Sequence, residues 1–437
     1  MHIKTGPISS KLIKRDNAVI SPSYPRGYPF VMDHGKGVEV WDADGKRYLD
    51  FAAGIAVNST GHSHPEVVKA ITEQAQKFIH ISSDFYHERW IQLAEKLDEI
   101  SPFRSPARSF MSNSGSEAVE SALKLAKYVT GRSQFIGFLG GFHGRTAGSL
   151  SFTASKKVYH RSFYPLMSGV THVPFPNPYR PIFNMREGQN TADAALNYLE
   201  NVIFHKLVPP SDVAGILVEP IQGEGGYIFP PENFFPTLRE ICDKYGILLI
   251  ADEVQSGMGR SGKWWAIEHY GVEPDILCIA KGIASGMPMG VTMSRADLMT
   301  WEKGSHGNTF GGNPISCAAA LKTIELIQDQ YLENTTKIGK LALEILHDIQ
   351  STSATIGEVR GKGLMIGVEF VLDKQTKDPA PAVRDEVVDH CFQKGLLTLG
   401  CGDSTIRITP PLCITEDEIR EGLEIFAASV KEAESHL

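Results

Sequence analysis

The sequence predicts an α/β protein with a large domain around a mostly parallel sheet and a smaller α+β domain built from both termini. Between residues 62 and 325, short apolar runs alternate with amphipathic stretches of helical period. Residues 37–52 alternate apolar and polar side chains around Asp44-Gly45, which is a hairpin signal. After residue 325, helical patterns return, with a hairpin-like stretch at 361–370 and a last helix near 416–433.

The candidate strands of the large domain are short and strongly apolar. Amphipathic helical stretches flank each of them, so we expect a parallel sheet covered by helices on both faces. These runs are residues 216–218, 247–251 and 276–280, and two helical stretches are predicted further along, at 318–332 and 335–349.

The chain is therefore predicted to divide into three segments. The first 30 residues are polar and turn-rich, and we interpret them as an arm that lies over a neighbouring surface. Residues 1–61 would hold this arm and part of the small domain, 62–325 the large domain, and 326–437 the C-terminal part of the small domain.

Composition excludes several classes of function. The 437 residues carry 43 Lys and Arg against 51 Asp and Glu, a formal net charge of −8, which argues against a nucleic-acid partner. No stretch of 18 apolar residues occurs and no apolar run follows the basic N-terminal residues, so we expect neither a membrane span nor a secretory signal. The six cysteines are scattered without metal-ligand spacing, which favours reduced thiols and a cytoplasmic location.

Two strands are predicted to end in residues suited to catalysis. One apolar run is followed by Asp252 and Glu253, and the next ends at Lys281. The carboxyl ends of parallel strands face the ligand crevice, so both are candidate site residues. A lysine that loses its proton readily can act as a nucleophile. The alternatives are an acid that caps a helix and a lysine that extends to solvent.

Two further segments suit an anion and a flat ring. Ser114, Gly115 and Ser116 precede an amphipathic helix, and Ser114 with Glu117 fits a capping box. Free amides at a helix N-terminus bind anions, although capping alone explains the same residues. The glycine-rich residues 140–146 carry an aromatic that could stack on a ring and an arginine that could bind a carboxylate, or form a turn with an exposed arginine.

In this order, these segments resemble the class III (subgroup II) pyridoxal-phosphate aminotransferases of fold type I. The resemblance runs from about residue 28 to about residue 433. Its motifs are residues 54–57, 61–65, 112–118, 142–146, 219–226, 252–262, 280–282 and 307–314.

The resemblance implies pyridoxal 5′-phosphate as cofactor and assigns its contacts. Lys281 would form the Schiff base and shuttle the substrate proton, and Asp252 would pair with the pyridine nitrogen. Thr309 would contact the phosphate of the partner subunit, which implies a homodimer, or a dimer of such dimers, with the active site at the interface. The implied cofactor-binding residues are Ser114, Gly115, Ser116, Phe142, His143, Asp252, Gln255, Lys281 and Thr309.

The resemblance also implies the substrate contacts. Arg145 would bind the distal carboxylate and Arg407 the α-carboxylate, while Glu224 would cover Arg407 when an ω-amino substrate is bound. Ile55 stands where ornithine aminotransferases carry tyrosine, and Glu219 would lie on the pocket floor. We expect transfer of an amino group from an ω-amino acid, 4-aminobutyrate above all, to 2-oxoglutarate, giving glutamate and a semialdehyde.

Three other functions are alternatives for this pattern of residues. A racemase or epimerase on the same scaffold would share Lys281 and Asp252, so these residues do not separate it from an aminotransferase. Acetylornithine is an alternative amino donor. A non-catalytic sensor is rejected because both residues are present. His62 and His64 could suggest a metal pair, but the motif around them indicates turn residues, and no metal is predicted.

Overall fold

The computed structural model describes residues 5–436, and residues 1–4 and 437 of the predicted terminal segments lie outside them. The strands are β1 Met32–Lys36, β2 Glu39–Asp42, β3 Arg47–Asp50, β4 Ala107–Ser112, β5 Gln134–Phe138, β6 Val170–Val173, β7 Val213–Val218, β8 Leu248–Asp252, β9 Ile276–Ile279, β10 Gly290–Arg295, β11 Ile356–Lys362, β12 Met365–Phe370, β13 Leu396–Leu397, β14 Leu399–Cys401 and β15 Thr405–Ile408. The helices are α1 Pro7–Val19, α2 Ala53–Ala56, α3 Pro65–Lys77, α4 Glu88–Glu99, α5 Gly115–Thr130, α6 Ala147–Phe152, α7 Thr191–Tyr198, α8 Phe234–Tyr245, α9 Pro314–Leu326, α10 Leu332–Thr352, α11 Pro381–Gln393 and α12 Glu416–Glu434.

A seven-stranded sheet forms the centre of the molecule. Its order is β4-β10-β9-β8-β7-β5-β6, and β10 runs antiparallel to both of its neighbours while the other pairs are parallel. Every residue of β7, β8 and β9 is buried, which is why these strands read as continuous apolar runs. The predicted α/β class with a mostly parallel sheet is confirmed.

The register of the central strands positions the site. β8 and β9 are parallel neighbours, and Asp252 at the end of β8 pairs with Cys278 near the end of β9. Lys281 follows β9 by two residues and begins a short 3-10 turn, Lys281–Ala284. The predicted strand-end acid and lysine therefore lie at the same edge of the sheet, as the carboxyl ends of parallel strands require.

Two smaller sheets are built from the terminal parts of the chain. One has the order β1-β2-β3-β13, so it joins N-terminal strands to a C-terminal one, and the other has the order β11-β12-β15-β14. The hairpin predicted around Asp44-Gly45 is present as β2 and β3, and the one at 361–370 corresponds to β11 and β12. The division of the chain at residues 61 and 325 stays a prediction.

The N-terminal arm differs from its prediction, because it contains a helix. Most of the side chains of α1 are exposed, so its sequence lacks the apolar periodicity that predicts a helix. The helix is instead anchored by the carboxylate of Asp44, which accepts hydrogen bonds from the backbone N–H groups of Ile8 at 2.9 Å and Ser9 at 2.8 Å. An anion at a helix N-terminus satisfies amides that have no partner within the helix.

Two other local features depart from simple patterns. The stretches predicted at 318–332 and 335–349 are α9 and α10, joined by a π-helical turn at Ile327–Tyr331. The turn α2 is left-handed, since φ is positive throughout, at +46° for Ala53, +63° for Gly54, +65° for Ile55 and +60° for Ala56.

Among the described residues, every helix is too short or too polar to cross a bilayer.

Candidate active site

A cavity of about 320 Å³ opens at the carboxyl edge of the central sheet. Asp252, Lys281 and the start of α5 line it, together with Met287, Pro288 and Met289. A larger cleft of about 530 Å³ lies nearby, around Lys157 and His160. We place the site in the smaller cavity because it gathers the amine, the carboxylate and the helix N-terminus that the chemistry needs.

Lys281 occupies a strained turn at the cavity wall. Its φ is +45°, in the left-handed region that disfavours side chains, and such strain often marks functional positions. The next residue must be small, because a Cβ on Gly282 would lie 2.4 Å from Ser59 Oγ. Burial lowers the pKa of Lys281 and outweighs the opposing charges of Asp252 and Glu219. The amine can therefore lose its proton more easily than an exposed lysine.

Asp252 is held by a buried histidine. Nδ1 of His143 lies 2.7 Å from Asp252 Oδ2, and both side chains are buried. The other oxygen, Oδ1, accepts a hydrogen bond from the backbone N–H of Val254 at 3.0 Å. Burial disfavours the imidazolium, but the hydrogen bond and charge of Asp252 raise the pKa of His143 overall. Nε2 of His143 is buried without a hydrogen-bond partner among the described residues. The carboxylate is thus fixed in orientation while it faces the cavity.

Glu219 and Glu253 are both buried acids, but they have different surroundings. Glu219 lines the cavity and accepts hydrogen bonds from the backbone N–H groups of Phe142 at 3.3 Å and Gly223 at 3.2 Å. Burial raises the pKa of its carboxyl, against the charge of His143. Glu253 accepts hydrogen bonds from Ser256 and Ile267 instead, so we assign it a structural role.

The start of α5 forms the candidate anion site. Gly115 and Ser116 line the cavity, and first-turn amides have no partner within their own helix. A Cβ at Gly115 would lie 2.8 Å from Val254 Cγ1, so this close approach requires glycine. Ser114 caps the helix through the Glu117 N–H at 3.3 Å. The Glu117 carboxylate accepts from Asn113 N at 2.8 Å rather than from Ser114 N, so the predicted capping box is only half formed.

Two other predicted cofactor contacts also line the cavity. Phe142 lies at its wall, in the loop that follows β5. Gln255 is buried at the cavity wall, three residues after Asp252, and its Oε1 accepts a hydrogen bond of 2.8 Å from the Tyr227 hydroxyl.

Beyond the cavity, Glu224 and Arg407 form a buried ion pair. Arg407 Nη2 lies 2.8 Å from Glu224 Oε2 and donates a second hydrogen bond, also 2.8 Å, to the carbonyl of Gly400. Burial opposes ionisation of Glu224, but the charges of Arg407 and Lys156 outweigh it and hold its pKa below the ordinary value. Both charges act on the pKa of Lys281, which places the pair within electrostatic reach of the amine.

Three further predicted residues lie outside the cavity wall. Arg145 is exposed, and its guanidinium stands 5.0 Å from the ring centroid of Tyr159 and 5.5 Å from that of Phe142. Ile55, 42 % exposed, belongs to the left-handed turn α2. Thr309 is exposed in the segment between β10 and α9. Their substrate and phosphate contacts stay predictions.

His62 and His64 have structural roles. His62 Nε2 lies 2.8 Å from Asp50 Oδ2, and the Nδ1 atom of His64 accepts from Glu66 N at 3.3 Å to cap α3. A group with metal-ligand spacing lies elsewhere, on α11 and just past α12. It consists of Glu386, His390 and His436, whose ligand atoms lie within 4.8 Å of one another.

Sequence reasoning missed two neighbours of the ion pair. Lys156 Nζ lies 2.6 Å from Glu224 Oε1, and the Tyr159 hydroxyl lies 3.3 Å from the same oxygen. They precede Glu224 by 68 and 65 residues, in a segment whose composition resembles an ordinary polar loop. No local spacing could have indicated this contact.

The residues around the cavity fit pyridoxal phosphate. The lysine amine can attach an aldehyde, the buried carboxylate can hold a proton on a ring nitrogen, and the helix N-terminus can hold a phosphate.

Comparison with known proteins agrees with this fit. The family model described as aminotransferase class-III matches residues 21–430. A protein of Pyrococcus horikoshii named alanine/serine racemase is 39 % identical over 98 % of this chain and 91 % of its own length. An acetylornithine aminotransferase of Methanopyrus kandleri is 41 % identical over 92 % of this chain and 95 % of its own. A 4-aminobutyrate aminotransferase of Mycobacterium leprae is 37 % identical over 97 % and 95 %.

A solved structure shows the same fold. An amine transaminase from an uncultivated Pseudomonas species, in its pyridoxal-phosphate-bound form, superposes with a TM-score of 0.88 at 34 % identity, covering 99 % of both chains. The chain therefore belongs to the class III aminotransferases, enzymes that transfer amino groups between amino acids and keto acids with pyridoxal phosphate as cofactor.

Proposed function

We propose that this enzyme transfers the amino group of an ω-amino acid, with 4-aminobutyrate as the preferred donor, to 2-oxoglutarate, giving glutamate and a semialdehyde. The observation that carries the proposal is the 2.8 Å ion pair between Glu224 and Arg407. An enzyme that alternates between a donor without an α-carboxylate and glutamate needs an arginine whose partner can be replaced. A buried arginine with no partner at all would be costly.

In the proposed reaction each residue around the cavity has one task. Bound pyridoxal phosphate supplies an electron sink for the charge that develops on the substrate carbon. Lys281 attaches the cofactor and, as the free amine, takes and returns the substrate proton. The Asp252 carboxylate, oriented by His143, keeps a proton on the ring nitrogen. Phe142 would pack on the ring, and Gln255 would bind its 3-oxygen.

The remaining contacts hold the phosphate and the substrate. The amides of Gly115 and Ser116 bind the phosphate next to the Ser114 cap. Arg145 binds the distal carboxylate, and its exposure in the single chain suits a ligand that arrives from outside. Ile55 and Glu219 shape the pocket around the substrate.

A homodimer, alone or paired with another, completes the proposed site with Thr309 on the phosphate of the neighbouring subunit. The surface beside Thr309 supports this arrangement, because Phe310 is 60 % exposed and contacts His80, which adjoins the exposed Ile79. Apolar side chains grouped at a surface favour a protein partner. The six cysteines are free, which suits the reducing cytoplasm as the proposed location.

A racemase or epimerase is the second candidate, favoured by the 39 % identity to the protein named alanine/serine racemase. Lys281 and Asp252 would serve removal of the substrate proton in both reactions. In a racemase, the proton would be returned to the opposite face of the same substrate carbon. Acetylornithine is the alternative donor, favoured by the 41 % identity to the Methanopyrus kandleri protein.

One product assay separates these functions. Purified holoenzyme is incubated with 4-aminobutyrate, acetylornithine, ornithine, and D- and L-amino acids, each with and without 2-oxoglutarate, and Lys281→Ala is the inactive control. Glutamate formation that is fastest with 4-aminobutyrate and depends on 2-oxoglutarate supports the proposal. Conversion of one enantiomer into the other without 2-oxoglutarate, and without glutamate formation, assigns the racemase.

A further inference from the structure

Glu224 is held from two sides by cations of different accessibility. Its Oε2 faces Arg407, whose side chain is 6 % exposed, while its Oε1 faces Lys156, whose side chain is 39 % exposed. Glu224 itself is 13 % exposed. One carboxylate therefore bridges a buried cation that a substrate would use and a peripheral cation that lies toward solvent.

The contribution of Lys156 depends on whether Glu224 is paired with Arg407 or separated from it. When Glu224 covers Arg407, loss of Lys156 still leaves the carboxylate paired. When a substrate α-carboxylate takes Arg407, Glu224 must separate from it, and loss of Lys156 then leaves a largely buried carboxylate without a cation. An unpaired buried charge is strongly unfavourable, whereas a paired one is tolerated. Lys156 therefore stabilises the arrangement in which Glu224 has separated from Arg407 more than the arrangement in which the two are paired.

We propose that Lys156 is the docking residue that retains Glu224 when the α-carboxylate of a substrate displaces it from Arg407, so that Lys156 sets the preference between α-carboxylate substrates and ω-amino donors. It is a positioning residue, since it acts through Glu224. This inference rests on the proposed function for its biological meaning, because only an enzyme that accepts both kinds of substrate needs the choice.

The hydroxyl of Tyr159 completes the docking position. It donates to the same oxygen of Glu224 at 3.3 Å, and its ring stands 5.4 Å from the ring of Phe142, nearly perpendicular to it. The guanidinium of Arg145 lies over the Tyr159 ring, 5.0 Å from its centroid. The displaced carboxylate thus has a cation and a hydroxyl donor ready in one place, and Arg407 retains a buried Nε without a partner in the described part of the chain.

The matched control is the neighbouring residue. Lys157 carries the same charge one position further along, is exposed, and makes no ion pair within residues 5–436. Lys157→Met removes the same long-range charge but not the contact with Glu224. Lys156→Arg keeps a cation within reach of the carboxylate and should restore the behaviour that Lys156→Met loses.

Binding of unreactive acids tests the inference directly. Glutarate offers two carboxylates spaced as in glutamate, and butyrate offers one, so the ratio of their dissociation constants reports on access to Arg407. In Lys156→Met holoenzyme we expect the glutarate dissociation constant to rise about fivefold, the upper end of the loss expected of a partly exposed ion pair, with butyrate changing by less than about twofold. Lys157→Met should leave both constants near their original values. Equal weakening of both acids, or a glutarate effect no larger than that of Lys157→Met, overturns the inference.

Half-reactions provide the second measurement. In single-turnover experiments Lys156→Met should lose efficiency with glutamate and retain it with 4-aminobutyrate, and Lys156→Arg should reverse the loss. If the unaltered enzyme fails to transfer an amino group from 4-aminobutyrate, the proposed function fails. The glutarate to butyrate ratio still decides the role of Lys156, because it requires no reaction.

Discussion

The imidazole of His143 donates a hydrogen bond of 2.7 Å to the carboxylate of Asp252, 109 residues further along the chain. Both side chains are buried, and the bond fixes one oxygen of the carboxylate while Val254 N fixes the other. The residue proposed to hold the cofactor nitrogen is therefore itself held in one orientation. Changes at either residue should affect chemistry before they affect folding.

Asp252→Asn should bind pyridoxal phosphate and lose most of its activity. A neutral amide cannot stabilise a protonated ring nitrogen, and preorganised electrostatic contacts of this kind contribute about 2.7–4 kcal/mol, roughly a hundred- to a thousandfold in kcat. Cofactor content by absorbance and kcat with the best donor are the two measurements. Near-normal turnover in a variant that is full of cofactor would mean that the aspartate only shapes its turn.

His143→Asn should keep a donor near Asp252, whereas His143→Leu should not. Hydrogen bonds to charged groups contribute about 1.5–3 kcal/mol, so we expect kcat to fall roughly ten- to a hundredfold in the leucine variant and much less in the asparagine variant. Equal activities in the two variants would contradict a positioning role for the hydrogen bond.

His143 also predicts a dependence of stability on pH. Its pKa in the folded protein is raised above the ordinary 6.5, so its protonation contributes stability that is fully present below pH 6.5 and is lost as the pH rises through the folded pKa. The stability of the wild type relative to His143→Asn should therefore decrease from pH 6 to pH 9, as measured by urea unfolding of the cofactor-free proteins. A difference that is constant over this range would show that the imidazole does not titrate there.

Lys281 should carry the cofactor. Borohydride reduction followed by peptide mapping should place the label on this residue, and Lys281→Ala should lack the yellow absorbance of the wild type. The lowered pKa of the amine and its place beside Asp252 motivate the assignment. A label on another lysine contradicts it.

Glu224→Gln should affect the two half-reactions differently. Without the carboxylate, Arg407 keeps its charge but loses its counter-ion, so reaction with 4-aminobutyrate should slow about tenfold or more. Glutamate brings its own carboxylate to Arg407, and its half-reaction should be spared or improved. Single-turnover spectra of both half-reactions give the comparison, and equal losses would favour the racemase.

Glu369→Gln should destabilise the loop that carries Glu224. Glu369 is buried and pairs with both Arg360 and Arg180, and Arg360 also donates to the carbonyl of Gly226. Leaving these arginines with an uncharged partner should cost about 3–5 kcal/mol of unfolding free energy. Glu358→Gln is the matched control, because that acid pairs with Arg360 near the surface and should cost only about 0–1 kcal/mol.

The ion pairs of Glu369 should also make the stability of the protein sensitive to acid. Burial opposes its ionisation, but Arg360 and Arg180 together lower the pKa of Glu369 below the ordinary 4.5. The stability it contributes is therefore present above pH 4.5 and is lost as the pH falls through the folded pKa. The difference in unfolding free energy between the wild type and Glu369→Gln should therefore be smaller at pH 3 than at pH 7. A difference of the same size at both pH values would contradict the ion-pair origin.

The residues at the strand ends could be predicted because the end of a buried strand is visible in the local sequence. An apolar run that stops at Asp252 or just before Lys281 places its last side chain at the carboxyl edge of the sheet, whatever the rest of the chain does. The Ser114 cap is local for the same reason. The helix α1 and the contact of Lys156 with Glu224 were missed, because the first is anchored by Asp44 and the second joins residues 68 positions apart. Such pairings arise only once the elements are packed.

The sheet that joins both termini constrains how the protein can be made. Strand β3 pairs with β13, and the hydroxyl of Tyr28 donates to the carbonyl of Thr398, 370 residues further along. At about 5–20 residues per second, the ribosome needs roughly 20 to 75 seconds to supply this partner after the first strands emerge. The central sheet can form in that interval and β1, β2 and β3 can pair with one another, whereas the edge of β3 that binds β13 must wait until synthesis is nearly complete.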